Sequence, residues 1–60
     1  MKTFEFNPVK DILIFNKKPN LKIGQEIVEI LADNGHHKYM TPAKVIKIKK
    51  EQNQYKVYLL

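Results

Sequence analysis

The sequence contains no cysteine, no tryptophan, no serine and no arginine. Without cysteine, neither a disulfide nor a thiolate-held metal is there to staple a chain of 60 residues. The fold must rest on a single apolar core. Without arginine, all eleven basic side chains are lysine. Lysine is a point charge where arginine is a bidentate fork, so a basic face here suits phosphate backbones better than base edges. Thr3 and Thr41 are the only alcohol nucleophiles besides tyrosine, and neither stands in a triad pattern. Gly24 and Gly35 are too far apart for a phosphate-cradling loop. Glu26 and Glu29 fall on opposite faces of a strand or on the wet side of a helix, so they make no acid/base pair. No enzymatic activity and no cofactor are expected. The apolar run at residues 12–15 is far short of a membrane span, and the first ten residues lack the continuous apolar stretch of a secretory signal. The expectation is a soluble cytoplasmic protein, one domain over residues 1–60, with no membrane partner.

What the chain does have is β-branched and aromatic residues in short runs, and a net charge of +5. In "KTFEF", Phe4 and Phe6 alternate with Thr3 and Glu5, the period of a half-buried strand. Asn7-Pro8 ends it. "DILIF" (Asp11–Phe15) reads as a buried strand, and "NKKPN" (residues 16–20) as a turn in which Pro19 keeps Lys18 out of the helical region. "LKIGQEIVEILA" fits a strand entered through Gly24. The spacing of Ile27, Val28, Ile30 and Leu31 also fits a helix over residues 23–32, with Glu26 and Glu29 outside. The β-branched content favours the strand.

"DNGHHKYMTP" (residues 33–42) reads as the longest break, opened by a tight turn at Asn34-Gly35. In "AKVIKIKK", Ala43 and Val45 have one parity, Ile46 and Ile48 the other. One strand buries both sets on one face only if it is kinked, so a bulge or bend is expected near residues 45–47. "EQNQ" (residues 51–54) is a hairpin loop, and "YKVYLL" a last strand with Tyr55, Val57 and Leu59 on one side and Lys56 and Tyr58 on the other. The predicted fold is all-β: a five-stranded small barrel or strongly curled antiparallel sheet.

Residues 23–59 resemble the SH3-like small barrels of the Tudor and chromo-barrel kind. The matching positions are Gly24 before the first strand, Tyr39 ahead of the bent Ala43-Lys44-Val45 strand, and Tyr55-Lys56-Val57 after a short polar turn. The resemblance implies a barrel that binds methylated lysine tails, RNA, DNA or proteins and does no chemistry itself. An aromatic cage in such a domain would draw on Tyr39, Tyr58 and Tyr55. There is no tryptophan here, and the usual aromatic-rich ending after the last strand is missing.

Two side-chain groups invite functional readings. His36-His37 point to opposite faces of any strand, and Asp33 is the nearest carboxylate in sequence. They read as an exposed loop pair and not a metal site, which needs more ligands. The lysines carry the stronger signal. Lys44, Lys47, Lys49, Lys50 and Lys56, with Tyr58 among them, fall on two strands of one predicted hairpin. Lysine on phosphate with a ring on a base is how small barrels hold single-stranded RNA or DNA. Lys17, Lys18 and Lys22 would extend the track. The bland alternative is that lysines keep exposed strands from pairing with other chains. Glu26 and Glu29 on a neighbouring strand would neutralise part of such a patch.

A second functional reading is a phage or mobile-element accessory protein that binds a host protein and can inhibit it. Its contact would be a sheet edge or the patch Tyr39, Met40 and Tyr58. A third is a homodimer paired through the last strand, at Leu59-Leu60.

Overall fold

A computed structural model describes residues 9–60; the strand expected at residues 2–6 lies outside them. The described residues are all β, with strands β1 (Asp11–Phe15), β2 (Glu26–Ala32), β3 (Gly35–Glu51) and β4 (Gln54–Leu59). They form one antiparallel sheet in the order β1-β4-β3-β2. The sheet curls into a half-barrel around Leu13, Ile27, Ala32, Ala43, Val45, Val57 and Leu59, all buried. Phe15, Leu21, Ile30, Tyr39 and Ile48 pack around that cluster. Residues 23–32 enter the fold as a turn and a strand, with no helix.

The curl comes from β3. Its first half pairs with β2 and its second half with β4. The two pairings overlap at Lys44 and Val45: Val45 exchanges backbone bonds with Gly24 and Gln25 on one side, and Lys44 with Leu60 on the other. Directly after this overlap the register slips, Val45 facing Leu59 but Lys47 facing Tyr58. Ile46 is the extra residue. The slip restores the inward parity of Ile48 opposite Val57, which resolves the conflict between the two hydrophobic sets.

A second irregularity is larger. Ile27 faces Ala43 and Glu29 faces Lys38, so residues 39–42 stand opposite Val28 alone. Pro42 has no N–H to give a ladder, which suits it to this bulge. The segment expected as a long break is therefore mostly strand. Only Asp33 and Asn34 form the turn, and β3 starts at Gly35. The polar residues there face neighbours across the sheet: His36 is opposite Leu31, and Lys38 opposite Glu29. Gly35 has φ 129° and Gly24 has φ 94°, while Asn34 stays out of the left-handed region. At Gly24 the turn closes by the Gln25 N–H donating to the Lys22 carbonyl at 3.0 Å. Glycine at the third position of such a turn meets its need for positive φ.

Two further expectations are corrected. β1 is not buried on both faces: Leu13 is fully buried, whereas Ile12 is 38% exposed. The last strand is not an edge either. β4 lies between β1 and β3, and both sides of its end are bonded, Lys10 N–H to the Leu59 carbonyl at 2.6 Å and Leu60 N–H to the Lys44 carbonyl at 2.9 Å. Pairing with a twin through Leu59-Leu60 would first have to break these bonds. The sheet's edges are β1 and β2.

The edge of β1 is covered by the β2–β3 turn. Asp33 N–H donates to the Ile14 carbonyl at 2.8 Å, and the Asp33 carboxylate accepts Asn16 N–H at 2.6 Å. The Asn34 side chain accepts Ile14 N–H at 3.1 Å and donates to the Ile12 carbonyl at 2.9 Å. One turn thus supplies the partners that a further strand would give, and bends the ends of the sheet toward each other.

Candidate nucleic-acid interface

Antiparallel register sorts the lysines by face. On β4, Val57 and Leu59 point into the core, so Lys56 and Tyr58 point outward. Lys47 faces Tyr58, and Ile12 faces Tyr58 from the other side. One row along, Lys49 faces Lys56, with Ile14 beyond it. Lys47, Lys49, Lys56 and Tyr58 therefore share the outer face of the β1-β4-β3 sheet. Lys44 lies on the same face one row earlier, next to Glu26 and Leu60. Lys50 does not belong to it. It faces Tyr55 on the inner parity, with Nζ 5.9 Å from that ring's centre.

Like charges directly opposite each other repel, and Lys49 and Lys56 are such a pair. Glu51, on the same face two residues after Lys49, relieves this. Its carboxylate lies 3.2 Å from Lys56 Nζ and 3.4 Å from Lys49 Nζ. The Lys56 hydrogen bond and charge, aided by Lys49, hold the Glu51 carboxyl below its ordinary range. Both bridges are exposed and so weakly held. Lys47 has no carboxylate among its described contacts; its Nζ lies 5.7 Å from the centre of the Tyr58 ring. Beside it, Val9, Ile46, Lys47 and Tyr58 line a shallow hollow of about 350 Å³. The face thus sets an apolar-aromatic row at Tyr58 beside the basic row of Lys49 and Lys56.

Glu26 and Glu29 were expected to neutralise this face and do so only at its margin. Glu26 stands opposite Lys44, while Glu29 lies in the other hairpin, 2.7 Å from His36 Nε2. Glu51, which sequence reasoning placed in a loop, is the neutralising group. Lys17 and Lys18 are exposed just after β1, and Lys22 lies in the turn that bonds to β3 on the side away from β4. Lys22 does not continue the hairpin face.

The histidines sit on a strand and not in a loop, and each has its own carboxylate from far along the chain. His37 Nε2 is 3.3 Å from Asp11 Oδ2, and its Nδ1–H donates to the Gly35 carbonyl at 3.1 Å. Tyr39 OH donates to the same Asp11 oxygen at 3.2 Å, and the His37 and Tyr39 rings stack with centroids 6.4 Å apart. Burial, then the charge and hydrogen bond of Asp11, push the Tyr39 phenol up to about 12. Local sequence offered only Asp33 as a partner; Asp11 and Glu29 become partners only through strand order.

This clasp divides the alternative patch. Tyr39 is turned inward and bound to Asp11, Met40 is wholly exposed on the bulge, and Tyr58 lies on the outer face of β4. Tyr55 and Tyr58 point to opposite faces of β4, so the three tyrosines do not converge into a cage. Ile46, Val9 and Ile12 are the face residues that sequence reasoning missed. The parity conflict around Val45 foretold the bulge but not which side chain it would expel. Among the described residues there is no helix long and apolar enough to cross a membrane. No protein-family model, curated protein or solved structure matches the chain.

Proposed function

We propose that this chain is a cytoplasmic, non-enzymatic binding module of the SH3-like, Tudor or chromo-barrel kind, which holds RNA or DNA weakly and without sequence preference. The observation that carries the reading is the shared outer face of Lys47, Lys49, Lys56 and Tyr58. Three ammonium groups on one sheet face suit a line of phosphates, and the lack of arginine suits indifference to base identity. Support for the barrel kind comes from Gly24 at the entry to β2 and the sharp bend of β3 after Val45.

Binding carried by phosphate contacts falls with salt. Three lysines at roughly −0.7 each give a log–log slope of about −2 on single strands. The Lys47→Glu, Lys49→Glu double variant should lose affinity for every sequence alike and flatten that slope. Unchanged affinity in this variant would show that the hairpin is not the site.

A second reading is a phage or mobile-element accessory protein acting on a host protein. It is favoured by the outer side of the β2–β3 hairpin, where Met40 is wholly exposed and Leu31 is 72% exposed. Capture of one discrete protein that survives nuclease and high salt, and is lost in Met40→Glu, would decide for it.

A further inference from the structure

The apolar row of the outer face is made by the β3 bulge. With Val45 opposite Leu59 and Lys47 opposite Tyr58, Ile46 has no ladder partner and is expelled beside the Tyr58 ring, 37% exposed. Ile12 flanks the same ring from β1. Val9 and Ile46 give Tyr58 apolar walls, on a face that also carries Lys47, Lys49, Lys56, Ile14 and Glu51. A solubilising face needs no such hollow, and a pure phosphate grip needs no ring.

We propose that this hollow seats one unstacked base of a single-stranded nucleic acid, while its phosphates run over Lys47, Lys49 and Lys56. The inference rests on the phosphate-binding reading above and adds to it a preference for single strands over duplex. Three observations support it. Lys47 and Lys49 stand two residues apart on one strand face, about 7 Å, close to the separation of successive phosphates on an extended single strand. The base is offered a ring face and two aliphatic walls, which suit any base and select none. In a duplex, base faces are already stacked and cannot enter. The Lys47 ammonium now near the ring is held weakly at this exposed site. An incoming base moves it toward the phosphate of the same nucleotide.

An acidic peptide is the competing ligand, and Glu51 argues against it. Lys49 and Lys56 already have a carboxylate within 3.4 Å. A peptide carboxylate offers them nothing stronger, whereas a nucleic acid brings, beside each phosphate, a base that the hollow at Tyr58 can take.

The test uses the full chain and fluorescence anisotropy with four probes: a labelled oligothymidylate, a duplex of the same length, an abasic strand with the same phosphates, and polyglutamate. The oligothymidylate should bind about ten-fold tighter than the abasic strand, and tighter than the duplex and polyglutamate. Tyr58→Leu should weaken it about ten-fold, to the level of the abasic strand, and leave the abasic strand unaffected. Tyr58→Phe should keep the wild-type preference. Irradiation with a 5-iodouracil strand should crosslink to Tyr58. Equal binding of duplex or abasic strand, or an unaffected Tyr58→Leu, overturns base seating while the phosphate reading stands. Lack of binding to every nucleic-acid probe, or insensitivity to Lys47→Glu with Lys49→Glu, overturns both. Polyglutamate binding tighter than oligothymidylate also overturns both, in favour of an acidic peptide. If Tyr58→Leu does not fold, Ile46→Ser replaces it: loss of the single-strand preference is expected, and an unchanged preference overturns the inference.

Discussion

The side-chain amide of Asn34 stands where a neighbouring strand's peptide group would, accepting the Ile14 N–H at 3.1 Å. It also donates to the Ile12 carbonyl, so one side chain satisfies two groups on the edge of β1. Replacing Asn34 by Ala leaves both to water. The expected loss is about 1–2 kcal/mol, read as a lower urea midpoint. Asn34→Asp should not restore it, because a carboxylate would face the Ile12 carbonyl with no hydrogen to offer. Full stability in Asn34→Asp would show that the amide donor contributes nothing.

Leu13 and Ile12 are neighbours with different surroundings, Leu13 inaccessible to solvent and Ile12 38% exposed. Leu13→Ala should cost about 2–5 kcal/mol. In a domain of this size, that is most of the stability available. Ile12→Ala should cost about 1 kcal/mol or less. Thermal unfolding followed by circular dichroism separates the two; equal losses would mean that β1 is buried on both faces.

Tyr39 sets an alkaline limit. Its folded pKa, about 12, is above the value of about 10 for a free phenol. The folded state thus favours the protonated form. The resulting stability is fully present below about pH 10 and is lost as pH rises through about 12. In a spectrophotometric titration at 295 nm, a late phenol step should appear, and Tyr39→Phe should abolish it. Near neutrality, Tyr39→Phe should lose about 1 kcal/mol with its hydrogen bond to Asp11. If the wild type shows no late step, neither burial nor Asp11 holds the phenol.

Glu51 restrains the lysine face. Its carboxyl is held below the ordinary range, so the attraction it gives the fold is present above about pH 4.3 and is lost as pH falls through the lower folded value. Glu51→Gln removes that acid-sensitive step and frees Lys49 and Lys56. Nucleic-acid affinity should rise a few-fold, with a steeper salt dependence. An affinity that stays the same or falls would mean that these two lysines make no phosphate contact.

Local chemistry made part of this fold legible. The β-branched and aromatic runs mark β1, β2 and β4, and the opposed parities of Val45 and Ile46 announce the bulge that bends β3. The rest depends on strand order, which no short stretch encodes. His36-His37-Lys38 looks like loop because it is polar, yet its polarity matches the outer face of a hairpin. Asp11 meets His37 and Tyr39 only after β1 has docked from far along the chain. The same docking turns Leu59 from a free edge into the middle of the sheet. At the candidate site, the lysine parity of β4 was readable. The exclusion of Lys50 was not, because the Ile46 bulge resets every parity after it.

The β1–β4 ladder has a mechanical consequence. Asp11 and Leu59 face each other at one end of it, and Phe15 and Tyr55 at the other. Tension applied between residues 10 and 60 therefore meets the ladder end-on, and its bonds open one pair at a time, as in a zipper. Such a geometry opens stepwise, and the contacts of Lys10 and Asp11 with Tyr39 are the first side-chain contacts to feel the load. Peeling β1 away would bare the whole hydrogen-bonding edge of β4 while the β3–β4 hairpin stayed intact. The element that this load opens first is the one that covers the edge of β4.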